Sequence, residues 1–173
     1  MDTDILHLLL EKQHYLVSVK DKRKMMPLHL AYDKEVVKTL LFFKAKTKQT
    51  DFQGSTPAHD LVLAQNSSTL HFILECDDMV IHSKNNQGKF PLTLACEKSF
   101  ETEVKVLLHF HQQEKYCTQP VSREIVKHAL TIAFKNKHYT IVQQFLKIGV
   151  IRHDCLQIAI RNGDIQMLHM LLK

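Results

Sequence analysis

Twelve histidines and four cysteines are the residues of this 173-residue chain best equipped for chemistry. Zinc favours imidazole nitrogen and thiolate sulfur, and His109-Phe110-His111 with Cys117 and His128 offers both. No CxxC or HxxxH pair completes that set, although structural zinc sites carry such tight ligand spacing. No metal and no other cofactor is therefore expected. Cys96 and Cys155 fall at packing positions of predicted inner helices, where a buried thiol is inert. No glycine elbow or oxyanion-type loop surrounds a cysteine or serine, and no nucleophile, base and orienter can be assembled. A phosphate-cradling loop is also missing from the sequence. The expectation is a protein that is not an enzyme.

Two basic runs, Lys20-Asp21-Lys22-Arg23-Lys24 and Lys44 to Lys48, could serve a polyanion. Nucleic-acid binding needs a continuous basic stripe with arginine or aromatic readers, and arginines are few here. The runs read as solvated tips between helices that tune partner choice by charge. The net charge of +5 and pI near 9.0 are only mildly basic.

The elements that must carry these residues are helical. With 45% hydrophobic and 24% charged residues, the chain can bury a core. Four glycines and four prolines leave little for flexible linkers, so one domain over residues 1–173 is expected. No apolar run is long enough to span a bilayer, and the start, MDTDILHLLL, lacks the early positive charge of a secretory signal. No membrane insertion and a cytoplasmic setting are expected, with the four unpaired cysteines reduced. The bias towards Lys, Ile and Phe over Gly, Ala, Arg and Pro fits an AT-rich genome, as in many intracellular bacteria and some viruses.

The clearest stretch runs from Asp51 to Cys76. Gly54 can take the positive φ of a tight turn, Thr56 suits a helix N-cap, and Pro57 suits the first helical position. A helix over 58–64, a polar break at Gln65-Asn66-Ser67-Ser68 and a second helix over 70–74 follow. Gly54-Ser55-Thr56-Pro57-Ala58-His59 resembles the G-x-T-P-L-H signature of the ankyrin repeat. Anchors at Pro27, Pro57, Pro91, Ala129 and Cys155 lie 30, 34, 38 and 26 residues apart, against an ankyrin period of about 33.

Pro27-Leu28-His29-Leu30-Ala31 carries the resemblance in the second unit, with Met26 in the capping place and a short connection at Tyr32-Asp33-Lys34. In the unit from Asn85 to Phe110, Gly88 and Pro91 match, while Phe90 replaces Thr and Thr93 replaces His. Pro120-Val121-Ser122 reads as a loop, and residues 125–146 as a helix pair broken near Lys135-Asn136-Lys137. In the last unit Asn162-Gly163 is a stop signal and Asp164 a cap. The first helix, Met1 to Glu11, is expected to be buried on more than one side, and a continuation or a partner is expected to cover the apolar last helix.

The resemblance implies an all-α ankyrin-repeat solenoid of about five and a half units, approximately 1–20, 21–50, 51–84, 85–120, 121–150 and 151–173. It implies that His29 and His59 tie adjoining hairpins by hydrogen bonds. It further implies a monomeric module for protein–protein interaction, binding no nucleic acid. Its concave face would comprise the inner-helix residues Tyr32, Asp33, Lys34, Leu63, Ala64, Glu97, Lys98, Lys135, Asn136, Arg161 and Asn162. The hairpin tips would add Lys22, Arg23, Phe52, Gln53, Gln87 and Lys89, with Phe52 either packing between repeats, the slightly favoured reading, or serving as an aromatic anchor. Related modules serve as scaffolds, as inhibitors of transcription factors and as effectors that bacteria deliver into host cells. The residue bias favours a pathogen effector acting on a host protein; a targeting or regulatory segment of a longer enzyme is the alternative.

Overall fold

The computed structural model describes residues 3–112, 120–147 and 152–172. Among them the chain is all-α, with no strand. Helices α1 (Thr3–Lys12) and α2 (Lys34–Phe42) flank two 3₁₀ turns, His14–Ser18 and Pro27–Leu30. The pairs α3 (Pro57–Leu63) with α4 (Ser67–Cys76) and α5 (Pro91–Lys98) with α6 (Glu101–His111) follow, separated by a 3₁₀ turn at Asp78–His82. Then come α7 (Pro120–Lys135) with α8 (Tyr139–Lys147) and α9 (Arg152–Asn162) with α10 (Ile165–Leu171).

The helices pack in two layers. One layer runs from the Pro27–Leu30 turn through α3, α5 and α7 to α9, each touching the next. The other runs through α1, α2, α4, α6 and α8. The hydrophobic core lies between them, from Leu10 through Val37, Leu61, Leu74, Leu92, Leu107, Ala133 and Phe145 to Leu171. Each such aliphatic or aromatic side chain taken from water contributes about 1.5–3 kcal/mol. None of the described helices is long and apolar enough to cross a membrane.

Two backbone patterns recur along this stack. The first is a tip formed by Asp21, Asp51 and Asn85, whose side-chain oxygens each accept two backbone N–H bonds, from residues two and four positions on. The residue three positions on takes positive φ: Lys24 at 60°, Gly54 at 74° and Gly88 at 73°. Neighbouring tips are joined: Phe52 N–H donates to Arg23 O (2.9 Å) and Asn86 N–H to Gln53 O (2.8 Å). The second pattern closes the inner helices. Gln65, Ser99, Lys137 and Gly163 have positive φ and lie 34, 38 and 26 residues apart. Each donates to the carbonyl three residues back, and the next residue donates to the carbonyl five back, a C-terminal closure that satisfies stray carbonyls.

Histidines lock the tips to the helices. The Thr56 N–H donates to His59 Nδ1 (3.2 Å), and His59 Nε2–H donates to Lys89 O (3.0 Å) in the next tip. His29 repeats this with Met26 N–H (3.1 Å) and Ser55 O (3.2 Å). Both rings are buried, and burial lowers both pKa values below the ordinary 6.5, keeping the neutral tautomer these bonds require. At the third position Thr93 instead accepts from Phe90 N–H and donates to Phe90 O, closing its own turn.

Several expectations need correction. Thr56 stands at the N-cap of α3 as expected, and its hydroxyl donates to His59 Nδ1 (2.9 Å), a bond the sequence did not suggest. Pro27–Leu30 forms a 3₁₀ turn rather than a helix, because the short connection commits Asp33 to capping α2 through Glu35 and Val36 N–H. Of α1 only Leu10 is fully buried, while Ile5, Leu8 and Leu9 are exposed, since its packing partners are α2 and the first 3₁₀ turn. Met1 and Asp2 lie outside the described residues. Pro120-Val121-Ser122 is the first turn of α7, not a loop, consistent with proline at a helix start. The run from Lys44 to Lys48 is not at a tip; it folds back on Asp77, which pairs with Lys48 (3.7 Å) and Thr47.

Two predictions follow from the locks. A Cβ at residue 54 would lie 2.8 Å from Asn86 N, whereas one at residue 88 meets nothing within 4 Å. Gly88→Ala therefore costs about 1–2 kcal/mol from positive φ alone. Gly54→Ala costs about 1–3 kcal/mol beyond that, because packed neighbours must move; urea midpoints of the two variants check the order. The depressed imidazole pKa values give stability that is complete above 6.5 and lost as pH falls below it, since the unfolded chain then binds the protons. Nitrogen shifts should show His29 and His59 still in the Nε2–H form just below pH 6.5.

Candidate functional site

The tips and the ends of the inner helices define a face on which two clefts open. The first, about 400 Å³, lies between the tips at Arg23 and Phe52-Gln53 and the inner turn at Leu63-Ala64. Met25, Leu30, Tyr32, Asp51 and Asp60 complete its lining. Four large apolar side chains are held partly in water there: Leu30 at 50%, Tyr32 at 45%, Phe52 at 51% and Leu63 at 47% exposure. Of the two roles open to Phe52, packing between units is the one its half-exposed ring does not support. Its N–H is bound to Arg23 O and its carbonyl accepts from Asn86 Nδ2 (3.0 Å), which fixes the backbone and leaves the ring to solvent.

Asp60 is the polar feature of this cleft. It sits in the first turn of α3, directly after His59, and its Oδ2 is buried with no hydrogen-bond partner. Burial, aided by the nearby Asp51 carboxylate and opposed by Arg23, raises its pKa from 3.8 to about 7. Arg23 does not neutralise it by contact; its Nε lies 3.9 Å from Asp21 in its own tip.

The second cleft, about 550 Å³, lies between the inner turns of α7 and α9. Phe134, Lys135, Lys137, Tyr139 and the run Asn162-Gly163-Asp164 line it with Ile165 and Gln166. Asp164 caps α10 by accepting from Met167 N–H (3.1 Å) and takes a bond from Tyr139 OH (3.3 Å). Its charge is therefore engaged, while Lys135, Lys137 and Arg161 are exposed.

The structure thus brings Tyr32, Phe52, Gln53, Leu63 and Ala64 together in one cleft and places Lys135 and Asn162 in another. Asn136, Arg161, Lys98 and Gln87 are exposed on the same inner turns and tips. Four expected residues are otherwise engaged. Asp33 is the cap of α2, and Lys34 Nζ lies over the Phe72 ring (5.0 Å) towards α4. Lys89 and Glu97 pair with each other (2.6 Å). Asp60, Leu30 and Met25 were not singled out by the sequence, because their setting is made by tips distant in the chain.

No protein-family model matches this chain. The candidate zinc ligands do not converge where they are described. His109 is exposed and stacks near His71, whereas His111 is buried against His82 and 2.7 Å from Ser122 Oγ. Cys117 lies outside the described residues. The Ser122–His111 pair is sealed from solvent, and burial with the nearby His82 lowers the His111 pKa to about 3. Cys96 and Cys155 are fully buried, and burial pushes the Cys96 thiol pKa up.

Asp60 supplies a test of this geometry. A folded pKa raised above the unfolded value means stability present at low pH is lost as pH rises through about 7. Asp60→Asn should therefore raise the melting temperature above pH 7, and the gain should shrink towards pH 3.8. Thermal melts across that range check it.

Proposed function

We propose that this chain is an ankyrin-type solenoid whose work is to bind a protein partner across its tips and inner turns. The single observation that carries the reading is the lateral bonding of successive tips, Arg23 to Phe52 and Gln53 to Asn86, beside a row of exposed inner-turn side chains. Further support comes from the spacing of the positive-φ turns, which repeats the spacing of the sequence anchors, and from the two imidazole bridges at 30-residue separation in the chain. A surface whose backbone is already bonded loses little conformational entropy on docking, so more of the contact energy appears as affinity. The side chains offered are mixed, with aromatic anchors at Tyr32 and Phe52 and cations at Lys98, Lys135 and Arg161. That composition suits a specific protein ligand, since interface cores favour aromatic residues and rims favour charge.

Reversing Lys98, Lys135 and Arg161 to glutamate tests the assignment. All three are exposed, so the triple variant should keep its melting temperature within a few degrees. Affinity capture from a eukaryotic lysate should lose the partner retained by the unaltered protein. An unchanged capture profile would remove this face from the binding reading.

A further inference from the structure

We infer that the cleft beneath the first two tips receives a lysine or arginine side chain of a partner protein, flanked in that partner by an apolar residue. The inference rests on the interaction reading above and names what the first cleft selects. The walls at Leu30, Tyr32, Phe52 and Leu63 are apolar and half in water, which suits the aliphatic stem of a long cationic side chain. Aromatic faces at Tyr32 and Phe52 also attract a cation placed over them.

Asp60 supplies the charge. Among the described residues its Oδ2 is buried with no hydrogen-bond partner, and a buried acceptor left unmatched is costly. Asp60 lines the cleft, so a cation seated there offsets that cost by charge, which a neutral group does not. Asp51 adds negative potential on the same side, while its Oδ1 is held by Gln53 and Ser55 N–H. Arg23 is the sole cation lining the cleft and is directed to Asp21, so it competes for the Asp60 carboxylate without occupying it. An acidic or uncharged insert would leave Asp60 unmatched.

Panning a phage-displayed random peptide library on the purified chain tests this, followed by anisotropy titrations with the selected synthetic peptides. The expected selections carry Lys or Arg next to an apolar residue. Asp60→Asn should then weaken binding about tenfold or more, the worth of a charged hydrogen bond. Phe52→Ala, at an exposed ring, should weaken binding without unfolding the chain, and Arg23→Ala should strengthen it by removing the competitor. Selected peptides that lack a cation, or that bind Asp60→Asn and Phe52→Ala equally well, would overturn the inference and leave the broader interaction reading intact. No selection on any face would count against both. A concentration-dependent dimer in sedimentation, abolished by Asp60→Lys, would place a second copy in the cleft and also overturn it.

Discussion

A buried neutral imidazole that bonds backbone on both sides is the constraint on which the first half of this molecule depends. Each helix start leaves N–H groups without intrahelical partners, and each tip presents carbonyls to its neighbour. His29 and His59 resolve both at once, accepting from their own turn through Nδ1 and donating across to Ser55 O and Lys89 O through Nε2. A charged ring could not accept at Nδ1, so burial, which favours the neutral form, and hydrogen bonding support each other. The Asx geometry of Asp21, Asp51 and Asn85 then sets the tips at a common shape, and their backbones bond side by side.

That stitching is what makes the candidate cleft. Phe52 and Gln53 cannot turn inward while their backbones are held by Arg23 and Asn86, so their side chains face the inner turns. Tyr32 is held through its carbonyl, which accepts from Asn66 Nδ2 (2.6 Å) and Thr69 Oγ1 (2.9 Å), and its ring projects. The same order that satisfies the backbone thus strands four apolar side chains and one carboxylate around a single opening.

How much of this was legible in the sequence follows from which residues act locally. Gly54, Gly88, the proline positions and Asn162-Gly163 act through their own backbone, and the anchor spacing of 30, 34, 38 and 26 residues, completed by Ala129 and Cys155, reappears in the turns. The buried thiols of Cys96 and Cys155 were also readable, from their place on apolar faces. Lys24 was not, since a lysine at positive φ looks ordinary until its tip is seen beside Gly54 and Gly88. The bond that the Thr56 hydroxyl donates to His59 Nδ1 was not foreseen, because it depends on which imidazole nitrogen carries the proton. Asp60 was invisible for a different reason: its environment is built by Asp51 and Arg23, from two separate tips. The burial of α1 was overstated because apolar density in a sequence does not reveal whether a neighbour exists to cover it.

Thr93 marks a change in how neighbouring units are joined. Where it folds its hydroxyl back on Phe90, the relay of imidazole to carbonyl ceases, and among the described residues no further tip follows. Beyond it neighbours are joined by apolar packing and by contacts at the inner turns, such as His138 Nε2–H to Glu97 O (3.4 Å). The backbone stitching of tips thus gives way beyond Phe90 to side-chain stitching, as in Thr140 to Glu101 and Tyr139 to Asp164.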